Sequence, residues 1–138
     1  MFFHREFDES FAHLAYAASD IFLMPSRYEP CGLGQMIAMR YGTLPVARKT
    51  GGLSDTIEDG KTGFLFEEYS LPAFIGAAGR AVKAFDDKEA WRKMMINAME
   101  KDFSWKKSAR EYILIYQKVL KTNGCRAYSP CSFQLVSR

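Results

Sequence analysis

The 138-residue sequence predicts an α/β fold, a parallel sheet with flanking helices, followed by a helical C-terminal segment. Three observations carry that prediction. Two short apolar runs, "IFLMP" (21–25) and "TLPVA" (43–47), enclose a stretch with helical spacing, so strand, helix and strand follow in quick succession. Such a βαβ unit makes its two strands parallel neighbours. After Ser70 the period changes from strand-like to helical and stays so to about Leu120. Three strand candidates are too few for a complete doubly wound sheet, where five or six are usual. The chain therefore reads as the second half of a larger α/β domain.

The elements follow in order. Residues 8–18 form a short helix, with Asp8 or Ser10 as cap and Phe11, Leu14, Ala15 and Ala18 on one face. "IFLMP" is continuous and apolar, which suits a strand buried on both sides. Residues 33–41 are helical, with Met36, Ile37 and Tyr41 on one face and Gly42 as the stop. Residues 43–47 are the second strand, a short helix can form around 53–57, and "GFLFE" (63–67) is the third strand. Ser70 then caps a helix whose apolar face reads Leu71, Phe74, Ile75, Ala78, Val82 and Phe85. Trp91, Met94, Met95, Ala98 and Met99 define a second face, and Trp105, Ala109, Tyr112, Ile113, Tyr116 and Leu120 a third. From Thr122 all periodicity is lost, so residues 1–121 are expected to be a partial domain and 122–138 an irregular tail.

Composition excludes several classes. A net charge of +3 with scattered Lys and Arg argues against a nucleic-acid partner. No apolar run approaches the ~20 residues of a membrane span, and the N-terminus lacks a signal-peptide core, so an intracellular protein is expected. Cys31, Cys125 and Cys131 have no metal-ligand spacing and read as free thiols. His4 and His13 lack acidic or thiol partners at ligand spacing, so no metal is expected. Asp55 and Asp59 read as cap and turn residues, and the Met94, Met95, Met99 stripe as core.

Two stretches can carry chemistry. In "SRYEPCGLGQ" (26–35), Glu29 lies just past a strand end, where open parallel sheets bind ligands. A carboxylate beside unpaired N–H groups of Gly32 and Leu33 can hold sugar hydroxyls, which both donate and accept. The alternative is that Glu29 decorates a loop and Cys31 packs as a small hydrophobe. In "RKTGGLSDT" (48–56), Gly51 and Gly52 follow the second strand and can cradle a phosphate with backbone N–H groups, or form a simple turn. Both loops belong to one end of one sheet.

"EPCGL", "RYGTLPV" and "TGGLSDT", in that order, resemble the C-terminal domain of bacterial glycogen synthases and plant starch synthases. These are retaining glucosyltransferases of GT-B architecture, with two Rossmann-like domains, and the resemblance runs from about Phe7 to Lys121. It implies ADP-glucose as donor, the non-reducing end of an α-1,4-glucan as acceptor, and no cofactor or metal. It implies that Glu29 holds hydroxyls of the transferred glucose and is the residue on which catalysis depends. Cys31 and the N–H groups of Gly32 and Leu33 are implied to line the sugar pocket, Tyr28 to wall it, and Thr50, Gly51 and Gly52 to approach the distal phosphate. Residues 102–120 resemble the closing helix region, which in that family crosses back toward the N-terminal domain. Ile37 stands where wider relatives carry a second glutamate, which fits the narrower group. The family's N-terminal domain, its acceptor site and its phosphate-neutralising Arg and Lys have no counterpart here. The chain is thus expected to be a fragment, inactive alone, from a cytoplasmic bacterial enzyme or a plastid one. A non-catalytic nucleotide-sugar-binding or interaction module and a UDP-glucose-dependent relative are the alternatives.

Overall fold

In the computed structural model, which describes residues 5, 6 and 8–122, three helices alternate with three strands and three further helices follow. They are α1 (Glu9–Ala18), β1 (Ile21–Met24), α2 (Gly34–Arg40), β2 (Leu44–Arg48), α3 (Gly51–Thr56), β3 (Phe64–Phe66), α4 (Leu71–Asp86), α5 (Lys88–Met99) and α6 (Trp105–Thr122). The strands form one parallel sheet in the order β1-β2-β3, with Ile21 opposite Leu44 and Val46 opposite Phe64.

Local chemistry sets the element ends. Asp8, Ser70 and Asp87 cap α1, α4 and α5 by accepting from the N–H groups of Phe11, Ala73 and Ala90. Gly42 has φ +83°, the left-handed conformation that ends α2, and a Cβ there would stand 3.1 Å from the Met95 methyl carbon. Residues 58–63 form a turn into β3, with Gly60 at φ +74° and the Asp59 carboxylate accepting from the Leu65 N–H at 2.7 Å.

β2 is the central strand and the most buried. Leu44, Val46 and Ala47 are inaccessible to solvent, and they meet Met39 of α2, Leu53 of α3, Phe64 and Phe66 of β3, Ala77 and Ala81 of α4, and Trp91, Met94 and Ala98 of α5. Trp91 anchors one side, stacked on Phe64 at 6.4 Å and meeting Phe85 edge-on at 5.2 Å.

Two expectations are corrected. β1 is not buried on both faces: Leu23 is 52% exposed, and the buried core gathers on β2, β3 and the helices against them instead. The expected face of α4 is turned. Phe74, Ala78 and Phe85 do pack on the core, but Leu71, Ile75 and Val82 are exposed and Ala77 and Ala81 are buried in their place. Small side chains let the helix lie close over β2 and β3, and a count of bulky residues alone misses that stripe.

The chain divides after Lys101, and α6 belongs to the second unit. Ser104 caps it, its Oγ accepting from the Lys107 N–H, and Asp102 accepts from the Ser104 N–H at 2.9 Å. The expected tail lies outside the described residues, apart from Thr122, which ends α6.

Candidate functional site

The loops after β1 and β2 leave the same, C-terminal edge of the sheet and lie against each other. The Gly52 N–H donates to the carbonyls of both Glu29 and Pro30 at 3.1 Å. A Cβ on Gly51 would fall 2.1 Å from the Glu29 carbonyl oxygen, and one on Gly52 would fall 2.0 Å from that of Cys31. Real side chains never come so close to backbone, so the glycine pair first serves to bring the two loops into contact. This revises the expected phosphate cradle in one respect: the Gly52 N–H is already engaged within the protein. The N–H of Gly51, at φ +45°, donates to no protein acceptor among the described residues.

Along the β1 loop, Glu29 is half-buried while Tyr28 is exposed. Cys31 carries a free, exposed thiol, and Leu33 is exposed. Gly32 turns the chain at φ +73°, and a Cβ on it would meet the Glu29 Cγ at 3.0 Å and the Gln35 Oε1 at 2.5 Å. The N–H groups of Gly32 and Leu33 also donate to no protein acceptor among the described residues. Thr50 is half-buried and takes the cap position of α3 without a side-chain cap bond. Tyr28, Glu29, Cys31, Gly32 and Leu33 thus share one rim with Thr50, Gly51 and Gly52.

Sequence reasoning missed three residues that hold this rim. Gln35 is wholly buried, and its Nε2 donates to the carbonyls of Cys31 (3.1 Å) and Gly32 (2.8 Å) and to the Thr56 hydroxyl (3.2 Å). Thr56 in turn donates to the Gly52 carbonyl at 2.7 Å. Arg48, the last residue of β2, clasps the outer side. Its Nη1 donates to the Arg27 carbonyl, its Nε donates to that of Glu67 at 3.3 Å, and its guanidinium lies 5.5 Å from the Tyr69 ring centre. A glutamine in the first turn of a helix that is apolar from there to its final arginine was a visible signal for the first. Nothing local marks the other two.

Two ion pairs lie around and beyond the rim. Lys49 and Glu67 meet at 2.7 Å, and their mutual hydrogen bond raises the Lys49 ammonium and lowers the Glu67 carboxyl from their ordinary values. Further off, Arg80 grips Asp59 through two hydrogen bonds, at 3.0 and 3.1 Å. Burial pushes the Asp59 carboxyl up, but Arg80, the Leu65 N–H and Lys49 together outweigh it and hold the group below its ordinary value. An apolar groove of about 370 Å³ lies beside the rim between Pro25, Phe66, Tyr69, Ser70, Leu71 and Phe74. A second, of about 280 Å³, lies under α1 against Phe22 and Thr43, toward the opposite edge.

His13 is exposed and its Nδ1 meets the Tyr41 hydroxyl at 2.9 Å. Among the described residues no cluster of His, Cys, Asp and Glu could hold a metal, and no helix is long and apolar enough to cross a membrane. Cys125 and Cys131 lie outside the described residues.

Known proteins resemble the chain in sequence and in fold. The chain is 54% identical over 114 residues to a glycogen synthase of Thermodesulfovibrio yellowstonii, covering 83% of this chain and 23% of that protein. It is 56% identical over 124 residues to one of Geotalea daltonii, covering 86% and 26%. The chain spans about a quarter of the length of these curated relatives. Among solved structures, the catalytic domain of starch synthase IV from Arabidopsis thaliana, bound to ADP and acarbose, superposes with a TM-score of 0.75 at 42% identity, over 84% of this chain and 26% of that one. Sucrose-phosphate synthase from Thermosynechococcus elongatus follows with 0.65 at 28% identity, over 85% and 29%. The three-stranded parallel sheet with its helices is part of a GT-B glycosyltransferase fold. Residues 2–102 match the family described as "Glycosyl transferases group 1", and the chain belongs to that family.

Proposed function

We propose that this chain supplies the donor-sugar and distal-phosphate loops of an ADP-glucose-dependent glycogen or starch synthase. The observation that carries the proposal is the contact between the Glu29–Leu33 loop and the Thr50–Gly52 loop at one edge of a parallel sheet. Near half-identity to glycogen synthases and likeness to an ADP-bound starch synthase support it.

In the proposed reaction the bond between glucose C1 and the diphosphate breaks, its electron pair leaving with the diphosphate oxygen, and a bond forms with retention from C1 to a hydroxyl oxygen at the non-reducing end of an α-1,4-glucan, whose proton passes to the departing diphosphate. ADP leaves. Glu29 accepts hydrogen bonds from glucose hydroxyls, while the Gly32 and Leu33 N–H groups donate to them. Tyr28 and Cys31 wall the sugar. Thr50 and Gly51 face the distal phosphate, and Gly52 serves by fixing the loop that carries them. No metal or cofactor takes part. The acceptor glucan and the cations that neutralise the leaving diphosphate belong to the rest of the enzyme, so the chain alone binds donor weakly and does not turn it over.

Titration of the ¹⁵N-labelled chain with ADP-glucose tests this. The amide signals of Gly32, Leu33 and Gly51 should move at millimolar ligand. Signals that stay fixed there would remove the donor site from this rim. Competition between ADP and UDP fixes the nucleotide.

A further inference from the structure

We propose that Gln35 is a positioning residue that aims the Gly32 and Leu33 N–H groups outward, at whatever binds the rim. The inference rests on the donor-site reading only for the identity of the ligand.

A fully buried glutamine is uncommon, and a buried polar atom without a partner is costly. Gln35 is both: no part of it reaches solvent, and its Oε1 has no hydrogen-bond partner among the described residues. That oxygen lies against Gly32, where a Cβ would come within 2.5 Å of it. An apolar side chain of the same length would fill the space without an orphaned acceptor. What the amide adds is Nε2, whose two hydrogens are shared among the Cys31 and Gly32 carbonyls and the Thr56 hydroxyl.

The two carbonyls matter because a trans peptide is planar, with its C=O and N–H on opposite sides. The Cys31 carbonyl shares a peptide with the Gly32 N–H, and the Gly32 carbonyl shares one with the Leu33 N–H. Drawing both carbonyls in toward Nε2 turns both N–H groups away from the helix and into the open rim. Neither donates to a protein acceptor among the described residues, as that geometry requires. Through Thr56, which donates to the Gly52 carbonyl, the same amide is tied to the glycine loop. One side chain therefore sets both the direction of two donors and the spacing of two loops before any ligand arrives, which is the preorganisation that makes such donors effective.

Gln35→Met removes the donor at nearly constant shape. Residual dipolar couplings of the ligand-free, ¹⁵N-labelled chain report the N–H directions, and ADP-glucose titration reports their use. The expected result for Q35M is a changed orientation for Gly32 and Leu33 with unchanged couplings in β2 and α4, and an affinity at least tenfold weaker. Thr56→Val, which cuts only the tie to the glycine loop, should weaken binding less, and Thr56→Ser should restore it. A folded Q35M with wild-type couplings at Gly32 and Leu33, or with affinity within twofold of wild type, overturns the proposal. Should Q35M not fold, Thr56→Val decides: unchanged affinity and unchanged couplings at Gly52 defeat the link. Failure of the wild-type chain to bind ADP-glucose would sink the donor-site reading instead, and leave the couplings to judge the aim of the two N–H groups.

Discussion

Gly52 has no room for a methyl group. Its Cβ would stand 2.0 Å from a backbone oxygen of the neighbouring loop, and neither backbone can yield without parting the two loops. Gly52→Ala should destabilise the chain by about 2–4 kcal/mol, the range of severe overpacking. Gly76 is the control. It lies exposed in the middle of α4 with nothing within 4 Å of a built Cβ. Gly76→Ala should stabilise by about 0.5–1 kcal/mol, since alanine loses less freedom in a helix. Denaturant melts of the two variants should therefore move in opposite directions. Asp59 gives a pH test. Its folded carboxyl sits below the ordinary value of 3.8, so its contribution is present above that pH and fades as pH falls through the folded value. The pair with Arg80 is about half exposed, so solvent screening limits the effect. Asp59→Asn should cost about 0.5–1 kcal/mol at pH 7, and the gap from wild type should close below about pH 4. A gap that does not narrow at all as pH falls below 3.8 would show that the loss is steric, not electrostatic.

At the scale of elements, what the sequence reveals depends on how local the cause is. Asp8, Ser70 and Gly42 act within a turn of their own helices, and each element end they mark is found within a residue or two. The packed face of α4 depends instead on how close the helix lies to the sheet. Ala77 and Ala81 form that contact, while the bulkier Leu71, Ile75 and Val82 stand exposed. Ala81→Leu should therefore cost about 1–3 kcal/mol, whereas Val82→Ala should cost little, as thermal melts can establish. The two rim loops were legible because strand ends and glycines are visible in sequence. Their mutual contact was not, nor were Gln35, Thr56 and Arg48 as its ties, because each joins residues brought together only by the fold. β1 shows the same limit. Its apolar run says strand, but its edge position among the described strands, and the exposure of Leu23, are properties of the assembled sheet. Such an edge invites association, so Leu23→Lys should reduce self-association measured by light scattering.

At the scale of the whole molecule, the proposed reaction needs a cleft with two walls, and the rim described above would form one of them. The relatives are about three and a half times as long, and the proposed transfer needs the leaving diphosphate neutralised and water excluded at the moment the C1 bond breaks. One rim of loops can orient a sugar but supplies neither. Replacing the matching segment of the Geotalea daltonii enzyme with residues 2–120 of this chain tests the division directly, since 56% identity across the segment keeps the buried contacts largely intact. The isolated chain should incorporate no glucose from ADP-glucose into glycogen, and the chimera should incorporate it readily. Within the chimera, Glu29→Ala should lower turnover by a factor on the order of 10² or more with the melting temperature nearly unchanged. A half-buried carboxylate on a loop contributes little to packing, and contacts to the sugar that tighten as its C1 becomes electron-poor act on rate more than on affinity. A chimera that is active and indifferent to Glu29→Ala would place the sugar elsewhere, and with it the chemistry assigned to this rim.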